Sequence, residues 1–320
     1  MKMRKNILLI LLIVFAFTLI SVSSLAATQW PTKPIIITIP WPPAGDPSTI
    51  IANAMSPLLS EELGVPVKII NKGGGHGTVA TNEVANSKPD GYTVGLVSIG
   101  PMITQPLRGV TPYKSEDLKP LGLVWSSPFT LAARYDAPYN NLKELAEYGK
   151  THELKLGHYG LGAVPTLIAM SVGKTGGFEW KETAFDNIDA LLLTRGDVDV
   201  ITCSTPSLMD YIETKQVKIL AVLNPSHYEC CPEVETVSEQ EFGFDYMIWF
   251  GIFVPKDTPI EIATRLEEAW FKVMETPEIK DVIKNVGVVP CKMSSTEAKK
   301  QIETELNDFK VIMEEIGLIK

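Results

Sequence analysis

Short apolar segments alternate with amphipathic segments along most of this chain, and loops rich in glycine or proline separate them. Residues 34–40 are rich in isoleucine and bounded by prolines, which predicts a buried strand. A helix is predicted from about Ser48 to Leu63, with Gly64 as its C-terminal cap. The pattern repeats in strands predicted at 67–70 and 92–97 and in a helix predicted at 78–87. This alternation limits the chain to α/β architectures.

A second block of the same alternation begins near residue 128. Strands are predicted at 129–133, 154–158, 198–203 and 217–223, and helices at 163–174, 190–194 and 206–214. A connector at 224–243 and a strand at 246–254 precede helices predicted at 260–275, 277–285 and 295–316. Because a parallel connection must cross back over a face of the sheet, this order predicts parallel strands in an α/β sandwich.

The size and charge of the chain exclude several classes of protein. Its 320 residues are 45% hydrophobic and carry a formal net charge of -9, with the acidic residues spread along the sequence. A chain of this length exceeds the usual size of one core, which predicts two domains. Its acidity makes nucleic acid an unsuitable partner.

Residues 1–27 have the order of a secretory leader. Basic residues at positions 2, 4 and 5 precede an apolar run at 7–20 and small residues at 21–27. The run is shorter than the ~20 residues of a typical membrane span, so we expect cleavage near Ala26 or Ala27. An uncleaved membrane anchor is the alternative. The expected product is exported and soluble, in a periplasm or outside the cell.

Four cysteines lie at positions 203, 230, 231 and 291. They lack the C-x-x-C spacing that indicates zinc, so we expect neither a metal nor another cofactor. In an oxidising compartment Cys230 or Cys231 could bridge to another cysteine, and the sequence leaves the pairing open.

Three loops share one arrangement, in which a predicted strand ends in a loop rich in glycine or proline before a helix. They lie at 41–45, 73–77 and 157–162. Glycine lets successive backbone N–H groups converge on an anion, and the following helix N-terminus adds a favourable dipole. Each loop alone is also compatible with an ordinary tight turn. Together they predict a carboxylate site in one cleft, built without charged side chains.

No sequence motif for nucleotide binding or catalysis is complete. The phosphate-binding loop, the dinucleotide fingerprint, the nucleophile elbow and the H-E-x-x-H zinc motif are absent from the sequence. His76 and His158 fall in candidate cleft loops, and we interpret them as turn or hydrogen-bonding residues because the sequence shows no catalytic partner for either. The acidic stretch at 186–199 is interpreted as helix caps and solvent-facing groups.

Several segments are similar, in order and spacing, to the motifs of one receptor family. Residues 30–34 and 39–45 resemble Y-P-x-K-P-I and P-F-x-P-G-G, residues 71–77 resemble N-x-x-G-A-G-G, and residues 89–93 match P-D-G-Y-T. Residues 193–200 resemble a leucine-rich helix before G-x-V-D-V, and residues 249–259 resemble W-x-G-x-x-x-P-x-x-x-P. Nearly the whole mature chain therefore resembles the substrate-binding proteins of tripartite tricarboxylate transporters, the Bordetella-uptake-gene type of extracytoplasmic solute receptor.

The resemblance implies an α/β fold of the periplasmic-binding-protein-like type II, with two lobes, two crossovers and a ligand cleft between the lobes. It places lobe 1 at 28–127 plus 224–320 and lobe 2 at 128–223. It also implies a receptor without enzymatic activity, which captures a small di- or tricarboxylate or related organic acid for the membrane subunits of a tripartite transporter. We expect this receptor to be a monomer.

The ligand site that the resemblance implies is shared by loops of both lobes. In lobe 1, backbone groups of the first loop would hold a ligand carboxylate and residues after the third strand would line the cleft, at Trp41, Pro43, Ala44, Gly45, Ser98 and Gly100. In lobe 2, a helix N-terminus and the pocket wall would be formed by Tyr159, Gly160, Gly162, Pro165, Thr166, Phe185, Asp186 and Ser204.

The first loop departs from the family pattern. Ala44 replaces a usual glycine, Asp46 and Pro47 appear as a one-residue addition, and Thr49 falls where the family commonly has Asp. Phe185 stands where a tyrosine is frequent, which removes a hydroxyl donor. The altered loop means that citrate is not the automatic ligand.

Two other classes of function are compatible with the sequence. An exported enzyme could use His76 or His158 in the cleft and would convert the carboxylate that it binds. A ligand receptor could report to a membrane sensor instead of a transporter, and a neighbouring gene for a sensor kinase would indicate this role.

Overall fold

The structure is a computed structural model that describes residues 30–43, 46–185, 187–229 and 231–320. The strands of this part of the chain are β1 (Ile35–Ile39), β2 (Val67–Asn71), β3 (Thr93–Ser98), β4 (Leu118–Ser126), β5 (Phe129–Arg134), β6 (Leu154–His158), β7 (Trp180–Ala184), β8 (Val200–Ser204), β9 (Val217–Val222), β10 (Trp249–Pro255) and β11 (Val289–Ser294). They form two sheets. The larger has the order β11-β4-β10-β3-β1-β2, and the smaller has the order β7-β6-β8-β5-β9.

Helices connect and cover these strands. They are α1 (Pro47–Leu63), α2 (Thr78–Ala85), α3 (Gln105–Leu107), α4 (Leu142–Gly149), α5 (Val164–Gly176), α6 (Ala190–Thr194), α7 (Met209–Glu213), α8 (Ile260–Met274), α9 (Pro277–Asn285) and α10 (Ser295–Glu315). Gly64 ends α1 with φ of 73°, a left-handed conformation that glycine adopts without steric cost.

The strand directions correct the expectation of purely parallel pairing. Strands joined through a helix run parallel, as β1 does with β2 and β3, and as β6 does with β7 and β8. Strands next to the crossovers are antiparallel: β10 to β3 and β4, and β5 to β8 and β9. The local alternation of strand and helix predicts only the parallel pairs. The antiparallel pairs join segments that are far apart in the sequence.

Two chain segments connect the sheets, and one side chain ties them together. The Ser127 N–H donates to the Ile248 carbonyl at 3.0 Å. Asn224 is buried; its Oδ1 accepts from the Phe129 N–H at 2.9 Å, and its Nδ2 donates to the Ser127 carbonyl at 3.2 Å. The two crossovers therefore lie side by side.

Apolar side chains pack against each sheet, and some of them also pack between the two sheets. One cluster packs the larger sheet against α1 and α8 and includes Ile37, Met55 and Trp270. Another contains residues of both sheets, such as Val97 of β3 and Leu156 of β6. Burying such side chains is the main favourable contribution to folding.

Five of the elements given above were not predicted from the sequence: β4, α3, α4, β7 and β11. Strand β7 is an edge strand with four exposed residues, and β11 is an edge strand with only partly buried or exposed residues, so neither has a clear apolar pattern. Strand β4 contains Pro120 and Gly122 at irregular points of its pairing with β10.

The predicted leader at 1–27 lies outside the described residues, as does Cys230. Within the described ranges, no helix is long and apolar enough to cross a membrane.

Candidate functional site

The order of the strands creates a switch point in each sheet. Strand β1 lies between β2 and β3, so the connection through α1 leads from β1 to β2 on one side, and the connection through α2 crosses from β2 past β1 to β3 on the other side. Strand β6 lies likewise between β7 and β8. In open α/β sheets, ligands bind outside the carboxyl ends of the strands at such points. The loops after β1, β3, β6 and β8 are therefore the candidate site, and they carry most of the predicted site residues.

In the first loop, Trp41 is anchored by its backbone, and its indole N–H has no hydrogen-bond partner among the described residues. Its carbonyl accepts from Asn71 Nδ2 at 2.9 Å, and its half-buried ring packs beside Gly77. The buried Trp41 Nε1 makes no hydrogen bond to the described residues. Pro43 is exposed, whereas Ala44 and Gly45 lie outside the described residues.

Asp46 caps the helix that follows this loop. Its Oδ2 accepts from the Thr49 N–H at 2.9 Å and from Thr49 Oγ1 at 2.7 Å. Asn71 Nδ2 donates to Thr49 Oγ1 at 2.7 Å, which fixes the orientation of the threonine. Burial raises the pKa of Asp46, and this effect outweighs the hydrogen bonds from Thr49 and Ser48, which lower it.

The loop after β3 meets the loop after β6. Ser98 is buried at the end of β3, and Gly100 begins a π-helical turn at Gly100–Thr104. The Thr104 hydroxyl donates to the Gly162 carbonyl. A Cβ on Gly162 would overlap the amide end of the Gln105 side chain, so this glycine leaves room for that side chain.

His158 fixes the conformation of the loop after β6. Its Nδ1 accepts from the Gly160 N–H at 2.9 Å, so the proton of the neutral ring lies on Nε2, which donates to Glu182. Burial lowers the pKa of His158 and outweighs the opposite effect of Glu182. Both ring nitrogens are thus engaged, which supports the structural interpretation of this histidine over a catalytic one.

His76 lies opposite this loop. A Cβ on Gly160, whose φ is 93°, would lie 3.0 Å from Cε1 and Nε2 of His76. His76 itself has φ of 51°, which is uncommon for a residue with a side chain. The glycine-rich loop before α2 and the loop before α5 are therefore in contact.

The N-terminus of α5 combines features suited to an anion. Its N-cap residue, Ala163, provides no side-chain hydrogen bond, and Pro165 occupies its first turn. Thr166 is fully buried, and its hydroxyl has no hydrogen-bond partner among the described residues. An uncapped helix N-terminus favours a negative charge, and a buried hydroxyl without a partner costs free energy until one is supplied.

The other predicted residues of the smaller sheet mainly pack. The Tyr159 ring lies edge-on to Phe129 with centroids 6.0 Å apart, and burial raises the pKa of its hydroxyl, which faces Cys203, well above its usual value. Phe185 packs against the apolar cluster that contains Leu193. Ser204 Oγ lies 3.3 Å from Ser127 Oγ of the crossover. Asp186 lies outside the described residues.

Residues 51–318 match the family model of the tripartite tricarboxylate transporter family receptor. The chain belongs to this family. This receptor is 31% identical over 307 residues to a UPF0065 protein of Bordetella pertussis, with 94% of each chain covered. It superposes on the periplasmic binding protein BugD with a TM-score of 0.79 at 26% identity, covering 90% of this chain and 99% of BugD. MatC of Rhodopseudomonas palustris, solved with bound malate, gives a TM-score of 0.78 at 21% identity, with 88% and 99% covered.

These likenesses confirm the predicted family and the predicted type II fold of the periplasmic binding proteins. The family and the fold are those of solute-binding receptors and not of enzymes. Across the described ranges, no group of three or more His, Cys, Asp or Glu side chains could hold a metal ion.

The site residues predicted from the sequence did not include Thr104, Gln105 or Ser127. Thr104 and Gln105 contact Gly162 from the π-helical turn and the short helix that follow β3, elements that have no motif. Their position after a switch-point strand was the available signal, and it required the strand order to be known.

Proposed function

We propose that this receptor captures a small organic acid between two lobes outside the cytoplasmic membrane and delivers it to the membrane subunits of a tripartite tricarboxylate-type secondary transporter. The observation that carries the proposal is the uncapped N-terminus of α5 with the buried, unpartnered hydroxyl of Thr166 among the described residues. A carboxylate placed there would accept from that hydroxyl and interact favourably with the helix dipole. The malate bound to MatC supports a carboxylate ligand.

The proposed lobes are 28–127 plus 224–320 and 128–223. The division of strands supports these bounds, because the larger sheet is built from strands before Ser127 and after Asn224, and the smaller sheet from those between. Asn224 lies in the second crossover, and its hydrogen bonds to Ser127 and Phe129 at the first crossover would keep the hinge intact while the lobes rotate.

The proposed site lies between the two switch points. The carboxylate would rest on the first turn of α5, while Trp41, Ser98 and Gly100 cover the ligand from lobe 1. The contacts of Gly162 with Thr104 and of Gly160 with His76 support direct closure of one lobe on the other. Closure would exclude water, which strengthens hydrogen bonds from the protein to a carboxylate. The closed shape would then be recognised by the membrane subunits.

Export through the leader at 1–27 is part of the proposal, as is a monomer that is soluble after cleavage, in a periplasm or outside the cell. The family match supports export, because the family consists of receptors of membrane transporters.

A thermal-shift panel on the mature chain tests the proposed function. The panel contains di- and tricarboxylates, aromatic acids, amino acids and neutral sugars. We expect one acid to raise the free energy of unfolding by about 2.7 kcal/mol at a hundred times its Kd. Mass spectrometry of the recovered acid should show it unchanged, because a receptor does not convert its ligand. A shift from a neutral sugar alone, or conversion of the acid, would contradict the proposal.

Thr166→Val tests the helix end within the same panel. Because the lost hydroxyl is buried and has no partner in the described residues, the variant should be at least as stable as the wild type without ligand. It should bind the acid about tenfold more weakly, since one hydrogen bond to a charged group is lost. Thr202→Val is the matched control, because the Thr202 hydroxyl in β8 is also buried without a partner in the described ranges. Equal affinity in both variants would remove Thr166 from the site.

A further inference from the structure

The helices that start at the two switch points differ at their N-termini. Helix α5 has no side-chain cap and, within the described part of the chain, an unpartnered buried hydroxyl at Thr166. Helix α1 already holds a carboxylate of its own chain, because the Asp46 side chain accepts from the Thr49 N–H and hydroxyl at 2.9 and 2.7 Å. The first turns of both helices contain a proline, Pro47 in α1 and Pro165 in α5, so the two ends differ in the side chains present and not in this missing N–H.

The Asp46 carboxylate is held by more than the helix cap. Thr49 Oγ1, which donates to Asp46, accepts from Asn71 Nδ2 at the end of β2. The same Asn71 nitrogen donates to the Trp41 carbonyl in the loop after β1 at 2.9 Å. The Asp46 carboxylate is therefore linked through Thr49 and Asn71 to the end of β2 and to the loop after β1.

A ligand that spans the cleft would meet different chemical groups at the N-termini of α5 and α1. At α5 it would find an N-terminus and a hydroxyl suited to a carboxylate. At α1 a second carboxylate would approach Asp46, and like charges about 4 Å apart repel enough to weaken binding roughly fivefold in water and a thousandfold at the dielectric of a protein surface. A hydroxyl, amide or ammonium group would instead donate a hydrogen bond to Asp46.

We propose that the ligand carries a single carboxylate, bound at α5, and presents a hydrogen-bond donor to Asp46 at its other end. This inference rests on the proposed function and narrows its ligand from organic acids in general to hydroxy, amido or amino monocarboxylates. Dicarboxylates of the same length are the disfavoured class.

Matched acids test this inference by calorimetric titration of the mature chain. Each dicarboxylate is compared with the acids of equal length that end in a hydroxyl or an ammonium, beginning with succinate, γ-hydroxybutyrate and γ-aminobutyrate and continuing through the longer series. We expect the best donor-ended acid to bind at least about tenfold tighter than its dicarboxylate partner, because only the latter faces Asp46 with a like charge.

Asp46→Asn isolates the charge, since asparagine caps helices about as well as aspartate. In this variant the preference over the dicarboxylate should shrink by at least about tenfold. Asp90→Asn is the control, because it removes the same charge in the loop before β3, at the opposite end of that strand from the site.

The outcomes separate the two proposals. If no acid of these series or of the thermal-shift panel binds, the proposed function fails. If acids bind but the dicarboxylates match their donor-ended partners, or if Asp46→Asn leaves the preference unchanged, only the single-carboxylate inference is overturned.

Discussion

At the scale of single residues, Glu305 shows how a charged side chain can be part of the core. It is fully buried on α10, where its Oε2 accepts from Trp249 Nε1 at 2.7 Å and its Oε1 accepts from Gln301 Nε2 at 2.8 Å. Burial raises the pKa of Glu305 to about 7, although both hydrogen bonds lower it. The folded protein therefore binds this proton more tightly than the unfolded chain does.

That difference predicts a pH-dependent stability. Proton binding by Glu305 stabilises the fold fully below the ordinary pKa of 4.5, and this stabilisation is lost as the pH rises through about 7. Glu305→Gln should remove the dependence, because glutamine is neutral throughout and the Gln301 amide can rotate to offer its oxygen. Near pH 8 the variant should be more stable by up to about 3 kcal/mol.

Urea denaturation at several pH values measures this effect. Glu303→Gln is the control, because Glu303 is exposed on the same helix. A variant at position 305 that is less stable than the wild type near pH 8, or that keeps the same slope of stability against pH, would contradict the argument.

The sequence did contain a signal for this burial. Residues 298, 302, 305, 309 and 313 follow the spacing of one helical face, and all of them are buried. Glu305 thus occupies a core position of an otherwise correctly predicted amphipathic helix. The sequence indicated the burial of Asp46 and His158 more weakly. A helix cap or a turn residue has the same local sequence pattern whether it is exposed or buried. Their hydrogen bonds to distant residues became visible only in the fold.

At the scale of elements, prediction succeeded where the pattern is local. The segments 154–158, 190–194 and 277–285 were predicted with the bounds that the structure shows for β6, α6 and α9. Each is bounded by polar residues, proline or glycine. The edge strands β7 and β11 were not predicted, because pairing with a neighbouring strand stabilises them and they bury no apolar face.

The loop before α5 gives a prediction at this scale. Gly160→Ala places a side chain 3.0 Å from the His76 ring at a φ of 93°, whereas Gly64→Ala places one in open space at a φ of 73°. Both variants should lose about 1–2 kcal/mol of stability from left-handed strain. Only Gly160→Ala should also weaken binding of the acid found in the panel, by about tenfold, because His76 must move before the lobes can close.

Denaturation and calorimetry on the two variants separate strain from function. The same loss of affinity in both variants, or none in either, would mean that the contact between Gly160 and His76 has no part in closure.

At the scale of the whole molecule, the sequence supplied the class of fold and the family, and the structure supplied the contacts between loops. Glycine-rich loops could be recognised as anion-binding candidates one by one. Which of them meet depends on strand order and on the antiparallel pairing of β5 and β10, which join residues far apart in the chain. For that reason Thr104, Gln105 and His76 emerged as neighbours of the α5 loop only in three dimensions.

The most direct measurement is a crystal structure of the mature chain with the acid that stabilises it in the panel. We expect a carboxylate at the first turn of α5, within hydrogen-bond distance of the Thr166 hydroxyl and enclosed between the loops after β1, β3 and β6. A bound acid whose carboxylate lies away from α5, or outside the space between the two sheets, would contradict the proposed site.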